Sequence, residues 1–229
     1  MFGASPQTCL KYMKYKYFAL DIDGTIFSSE GIIYPAYREA IERYSAERGA
    51  TLATPERGRI MLEIGKPVKQ IFENLFPQLP ETDRDFLSDS VLKILCERIA
   101  KGEGEFYPQV KETVEAVVAR GGKILVASNG RRAYIDAILD YCGILKHVIH
   151  PTYIDGVQIR SKNEIMLAYL ILGLPAKDIL MVGDRLSDFD AARAIGCDFA
   201  WCAYGHAPAG EITEFEIRLE KFTELAAYA

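Results

Sequence analysis

None of the five cysteines (Cys9, Cys96, Cys142, Cys197, Cys202) has a partner at CxxC spacing. Odd in number and widely scattered, they indicate neither a zinc site nor a disulfide framework, and reduced thiols in a reducing compartment are expected. No apolar run approaches the ~20 residues that a membrane-spanning helix needs. The amino-terminal MFGASPQTCL lacks the apolar centre of a signal peptide. Basic residues interleave with aromatics only in Lys11 to Tyr17 (KYMKYKY), and that stretch alternates and leads into an apolar run, so a first strand is the plainer reading. A formal charge of −5 argues against a nucleic-acid or anionic-membrane surface as partner. It leaves a small anionic substrate open, because local charge can oppose the net charge. No internal repeat and no low-complexity tract is present. A soluble cytoplasmic protein, monomer or homodimer, is expected.

What remains is ordinary globular composition, 49% hydrophobic and 26% charged over 229 residues. That length accommodates one large domain, or a core with a smaller insertion. Tyr15 to Leu20 reads as a strand running into a turn at Asp23-Gly24. Helical periodicity then persists for about seventy residues, with expected helices at Pro35–Glu47, Pro55–Glu63, Val68–Leu75 and Thr82–Ala100, each opened by proline or a polar cap. Lys101 to Glu105 (KGEGE) reads as a hinge or linker.

From Pro108 the pattern alternates. Helices are expected at Pro108–Arg120, Arg132–Tyr141, Ser161–Leu172 and Asp188–Ile195, with Ser161 and Glu164 at capping-box spacing. Strands are expected at Lys123–Ala127, His147–His150, Ile179–Val182 and Phe199–Ala203, and a hairpin through Asp155-Gly156. Strands alternating with helices imply an α/β fold, a Rossmann-like parallel sheet covered on both faces. The helical block interrupting that alternation is an inserted cap. The expected division is 1–28 and 106–229 for the core and 29–105 for the cap.

In an open parallel sheet, ligands bind beyond the carboxyl ends of the strands. Those ends hold Asp21-Ile22-Asp23-Gly24-Thr25, Ser128-Asn129-Gly130, and Gly183-Asp184-Arg185-Leu186-Ser187-Asp188, with Lys162 in the first turn of a capped helix. Along an extended segment, Asp21 and Asp23 project to one face, where two carboxylates can share a hard cation such as Mg²⁺. The same pair also suits a turn in which aspartates cap backbone amides. A calcium EF-hand loop is excluded, because its sixth and twelfth positions are Ile26 and Ile32. Asp184 and Asp188 either complete the metal site or cap a helix. Ser128, Asn129 and the following backbone amides suit phosphate oxygens. Lys162 runs against the helix dipole, a conflict that a nearby anion would remove.

A carboxylate attacking a phosphate meets repulsion of about 4 kcal/mol at 4 Å for an effective dielectric of 20. A divalent cation and a lysine can offset it. A second carboxylate can then protonate the leaving oxygen and activate water. Asp21 suits the nucleophile and Asp23 the acid/base.

This set resembles the haloacid dehalogenase (HAD) superfamily, whose four motifs are matched in order by Asp21/Asp23, Ser128, Lys162 and Asp184/Asp188. Phe106–Gly130, Asp178–Gly196, Phe222-Thr223-Glu224-Leu225 and Ile64-Gly65-Lys66-Pro67 are similar to the phosphoglycolate-phosphatase-like branch. The resemblance implies a mobile helical cap, and a phosphatase that acts on a small phosphorylated metabolite through an aspartyl-phosphate on Asp21. It also implies Mg²⁺ held by the Asp21 carboxylate, the Asp23 backbone carbonyl and Asp184, with Asp188 nearby. Ser128, Asn129 and Gly130 would bind phosphate, Lys162 would assist catalysis, and the Gly65-Lys66 loop would help choose the substrate. Two departures stand out. Lys162 is followed by Asn163 where many relatives have proline, and Asp23 argues against dehalogenation itself.

A phosphosugar mutase such as β-phosphoglucomutase shares the catalytic set. A receiver-like signalling domain or a non-catalytic phosphate-binding scaffold are alternatives of another class. Arg57, Arg59, Lys66 and Lys69 make the cap basic. With the apolar character of Ile60 to Phe72, they point to a compact acidic phosphate ester and to water, not a sugar hydroxyl, as acceptor.

Overall fold

The computed structural model describes residues 14–229. Lys11 to Met13 of the expected first alternating stretch, and Cys9, lie outside them. The described strands are β1 (Tyr17–Leu20), β2 (Phe27–Ser28), β3 (Glu105–Phe106), β4 (Lys123–Val126), β5 (Ile179–Gly183), β6 (Asp198–Cys202) and β7 (Ile217–Leu219). The helices are α1 (Glu30–Arg48), α2 (Arg57–Met61), α3 (Val68–Leu75), α4 (Glu81–Ala100), α5 (Val110–Ala119), α6 (Arg132–Cys142), α7 (Lys162–Ile171) and α8 (Leu186–Ile195). Five strands make one sheet in the order β4-β1-β5-β6-β7, and every pairing in it is parallel.

Strands β1, β4 and β5 are buried on both sides apart from the first residues of β1 and β4, as a parallel sheet between helices requires. Phe18 and Leu20 of β1, with Leu180 and Val182 of β5, face one apolar cluster that extends into the helical insertion. Ala19, Ile179 and Met181 face the other, against Ile165, Met166 and Tyr169 of α7 and Ala191 and Ala192 of α8. This period-two division fixes the register. Leu20 pairs with Val126 on one side and Val182 on the other. The residues just past those three lie at one level of one edge, which carries the site.

Several boundaries differ from the expectations. Helix α1 begins at Glu30, five residues before Pro35, which lies inside the helix. The missing N–H of Pro35 costs one hydrogen bond, and burial of Ile32, Ala36 and Tyr37 offsets it. The expected strand His147–His150 is not one. Leu145–His147 is a 3₁₀ turn, and Val148 makes only an isolated bridge to Ile124. No hairpin strands flank Asp155-Gly156. Asp155 instead closes a tight turn, its Oδ1 accepting from the amides of Val157, Gln158 and Ile159 at 2.8–2.9 Å. Strand β7 was not anticipated, because it is three residues long with exposed Arg218 at its centre.

The two chain crossings between sheet and helical insertion pair with each other. Strand β2 leaves and β3 returns, antiparallel, with Phe27 opposite Phe106 and their rings 5.1 Å apart. Gly104 precedes this ribbon at φ 91°, and a Cβ there would lie 2.3 Å from the Phe27 ring. The left-handed backbone costs a side-chain-bearing residue about 1–2 kcal/mol, and forced overpacking about 1–3 more. Gly104→Val should therefore lower unfolding free energy by roughly 2–5 kcal/mol in urea titrations. A loss under 1 kcal/mol would show that the ribbon does not depend on this close approach.

Candidate active site

Leu20, Val126 and Val182 lie in register, so Asp21 and Ala127 stand just past β1 and β4 at the level of Gly183, the last residue of β5. The Asp21 amide donates to the Val182 carbonyl, and the Ala127 amide to the Leu20 carbonyl, both at 2.9 Å. Immediately beyond stand Ser128 and Asp184. Asp188 follows one turn into α8. Lys162 enters from the first turn of α7, whose N-cap Ser161 accepts from the Glu164 amide at 3.3 Å.

The Lys162 ammonium, only 2% exposed, lies 3.0 Å from Asp21 Oδ1 and bonds directly to Asp188 Oδ1. The anions that its helix position called for are these two carboxylates. Burial opposes its charge, but Asp188 and Asp21 outweigh that and hold its pKa above the usual ammonium value. Asp21, Asp184 and Asp188 each present an oxygen within 4.8 Å of the others, and all three are buried. Burial, with mutual repulsion, drives the Asp184 and Asp188 carboxyls well above the ordinary carboxylate range. One ammonium does not balance three carboxylates.

The cluster needs room that only glycine supplies. A Cβ on Gly24 would fall 2.1 Å from Asp184 Oδ2, one on Gly205 2.3 Å from Asp184 Cβ, and one on Gly183 2.2 Å from Asp188 Cγ. The Asp184 carboxylate accepts from the His206 amide at 2.6 Å through Oδ2, whereas its buried Oδ1 has no partner. An unpartnered buried oxygen in an excess of negative charge, in an all-oxygen donor set, fits a hard divalent cation.

Asp23 is not part of that group. Its Oδ1 accepts from the Tyr134 hydroxyl of α6 at 2.8 Å, and burial, the largest influence, raises its pKa to about 6. Tyr134 was not anticipated, since nothing in its spacing separates it from a core tyrosine. Ser128 is buried and its Oγ accepts from the Gly130 amide at 3.2 Å. Asn129 Nδ2 donates to the carbonyl of Gly65 in the insertion at 2.8 Å. Arg185 reaches the same loop, bonding the Ile64 carbonyl while Glu211 holds its guanidinium through two contacts at 2.7 and 3.2 Å. Neither Arg185 nor Glu211 was singled out from the sequence, although Arg185 lies between Asp184 and Asp188. His206 contributes its backbone amide to Asp184, and its Nδ1 lies 3.2 Å from Glu30.

The haloacid dehalogenase-like hydrolase family pattern matches residues 15–196, which include Asp21, Asp23, Asp184, Asp188 and Lys162. The chain belongs to that family. It is 26% identical over 205 residues to the phosphoglycolate phosphatase of Vibrio parahaemolyticus, covering 83% of this chain and 85% of that one. In fold it is similar to a protein of Haemophilus somnus described as a predicted phosphoglycolate phosphatase, with TM-score 0.80 and 22% identity over 93% of this chain and 97% of the other. It is likewise similar to CbbY of Rhodobacter sphaeroides in complex with phosphate, at TM-score 0.71 and 19% identity over 92% and 96% of the two chains. No helix among the described residues is long and apolar enough to cross a membrane.

Replacing Asp184 with the isosteric amide removes a charge that burial and two carboxylates disfavour. Without divalent metal, Asp184→Asn should therefore raise the melting temperature at neutral pH. Melting in excess EDTA checks this, and a fall in melting temperature would contradict the excess negative charge.

Proposed function

We propose that the chain is a Mg²⁺-dependent phosphatase of small phosphorylated metabolites, acting through an aspartyl-phosphate on Asp21. The observation that carries this reading is the buried Asp21 beside Lys162, in an acidic cluster with an unpartnered Asp184 oxygen, opening onto a cavity lined by Ser128 and Asn129. The carboxylates of Asp21, Asp184 and Asp188 and the backbone carbonyl of Asp23 would hold Mg²⁺. When bound, the ion supplies charge neutralisation between the anionic nucleophile and an anionic substrate.

Each residue then has a chemical task. Ser128, Asn129 and the Gly130 segment bind phosphoryl oxygens where the helix that follows offers free amides. An Asp21 oxygen forms a bond to phosphorus as the ester P–O bond breaks, and Asp23 delivers its proton to the departing oxygen. Water then attacks phosphorus and gives its proton to Asp23, and inorganic phosphate leaves Asp21 free. Lys162 balances charge on Asp21 throughout, and Tyr134 positions Asp23. The helical insertion acts as a cap over residues 29–105, hinged at the β2–β3 ribbon and held down through Gly65 by Asn129 and through Ile64 by Arg185.

Phosphate release from p-nitrophenyl phosphate and from an alkyl phosphate tests this. Asp21→Asn should abolish both activities with the fold retained, and excess EDTA should do the same to the wild type. Asp23→Asn should lower alkyl phosphate turnover by about 10²–10⁴-fold. It should affect p-nitrophenyl phosphate less in the first step, because nitrophenolate leaves without a proton. Equal losses on the two esters would remove Asp23 from the acid role, and turnover persisting in EDTA would exclude the metal.

A further inference from the structure

Beside Asp21 and Asp23 a cavity of about 90 Å³ runs from Ser128 and Asn129 into the helical insertion. Its far wall is apolar, with Ile33 of α1, Val68, Ile71 and Phe72 of α3, and Leu92 and Leu95 of α4. Ile33, Val68, Ile71 and Leu92 are only partly buried, packed against the rim of the core cluster.

The charged groups near this wall are already engaged. Lys66 lies 2.9 Å from Glu63, which also accepts from Asn74 at 2.7 Å. Arg131 lies 2.6 Å from Asp89. Of the remaining basic cap residues, Lys69 pairs with Glu81 at 2.6 Å, Arg59 donates to the Asn74 carbonyl at 2.7 Å, and Arg57 lies 3.7 Å from Glu30. A second carboxylate or phosphate on the substrate would share these cations with the acids and the carbonyl that already engage them. An apolar group would bury against the wall with nothing left unpaired.

From the continuity of this wall with the nucleophile, we infer that the enzyme selects phosphate monoesters whose leaving group is apolar, such as an alkyl chain. This rests on the phosphatase reading above and replaces the compact acidic ester that the basic cap residues suggested from sequence. Phosphate sits at Asp21 and the Ser128 loop, and the chain lies along α3 and α4.

The test uses the full chain with Mg²⁺ and a series of alkylphosphonates from methyl to hexyl, which bind but cannot be hydrolysed, measured by calorimetry. Phosphate release from the matching alkyl phosphates and from 2-phosphoglycolate is followed in parallel. Affinity should tighten about three- to fourfold per methylene while the chain is being buried, and kcat/KM should rise with it. Leu92→Asn, or Val68→Asn should the first fold poorly, should flatten the dependence on chain length. Affinity that stays level or weakens along the series would overturn the inference while phosphate release left the phosphatase reading standing. So would 2-phosphoglycolate exceeding hexyl phosphate in kcat/KM. Chain-length-dependent binding without release of phosphate from any ester would uphold the apolar pocket and refute the phosphatase reading.

Discussion

A single buried ammonium set among three buried carboxylates is the constraint from which the rest of this structure follows. Lys162 contacts Asp21 and Asp188 with both sides of the pair out of water. Desolvating such charges costs several kcal/mol per ion. Lys162 offsets that cost only in part, and the Asp184 and Asp188 carboxyls are held toward their protonated forms. Such an arrangement is poor for stability and suited to holding a cation and an anionic substrate together. The glycines around it express the same constraint, because Gly24, Gly183 and Gly205 each yield the volume that an aspartate carboxylate occupies.

The parallel sheet makes that concentration of charge reproducible. Strands β1, β4 and β5 end in step because their buried side chains divide between two apolar layers, and a slip of one residue would exchange the layers. Asp21, Ser128 and Asp184 are brought together by backbone pairing before any of their side chains interact. Helices α7 and α8, packed on one face, then deliver Lys162 and Asp188 from the side.

The helical insertion is governed by different forces. It meets the core through the ribbon of β2 and β3, through an apolar cluster continuous with that of the sheet, in which α4 packs on α6, and through polar contacts to the Ile64-Gly65 loop from Arg185 and Asn129. Its basic residues, which in sequence look like a receptor for a second anion, are engaged by acids and carbonyls of the insertion itself. Lys66 and Arg131 line the cavity together with an apolar wall from α1, α3 and α4.

The sequence by itself determined the alternation of strands and helices, the helical insertion, and the identity of the carboxylates at the strand ends. These follow from periodicity and local chemistry, in which each residue is constrained by neighbours a few positions away. Even there, short or weakly patterned elements escaped. Pro35 masked the true start of α1, charged Arg218 hid β7, and β2 and β3 were too brief to register. Only the tertiary structure decided which charges pair and which remain. Lys66 is spent on Glu63, whereas Asp184 Oδ1 is left without a partner. It also decided that Tyr134 reaches Asp23 across 111 positions of chain, and that partly buried apolar residues of three helices line one cavity. Pairing and burial depend on the distance between groups in space, and that distance is set by how the layers pack, which no local pattern of residues records.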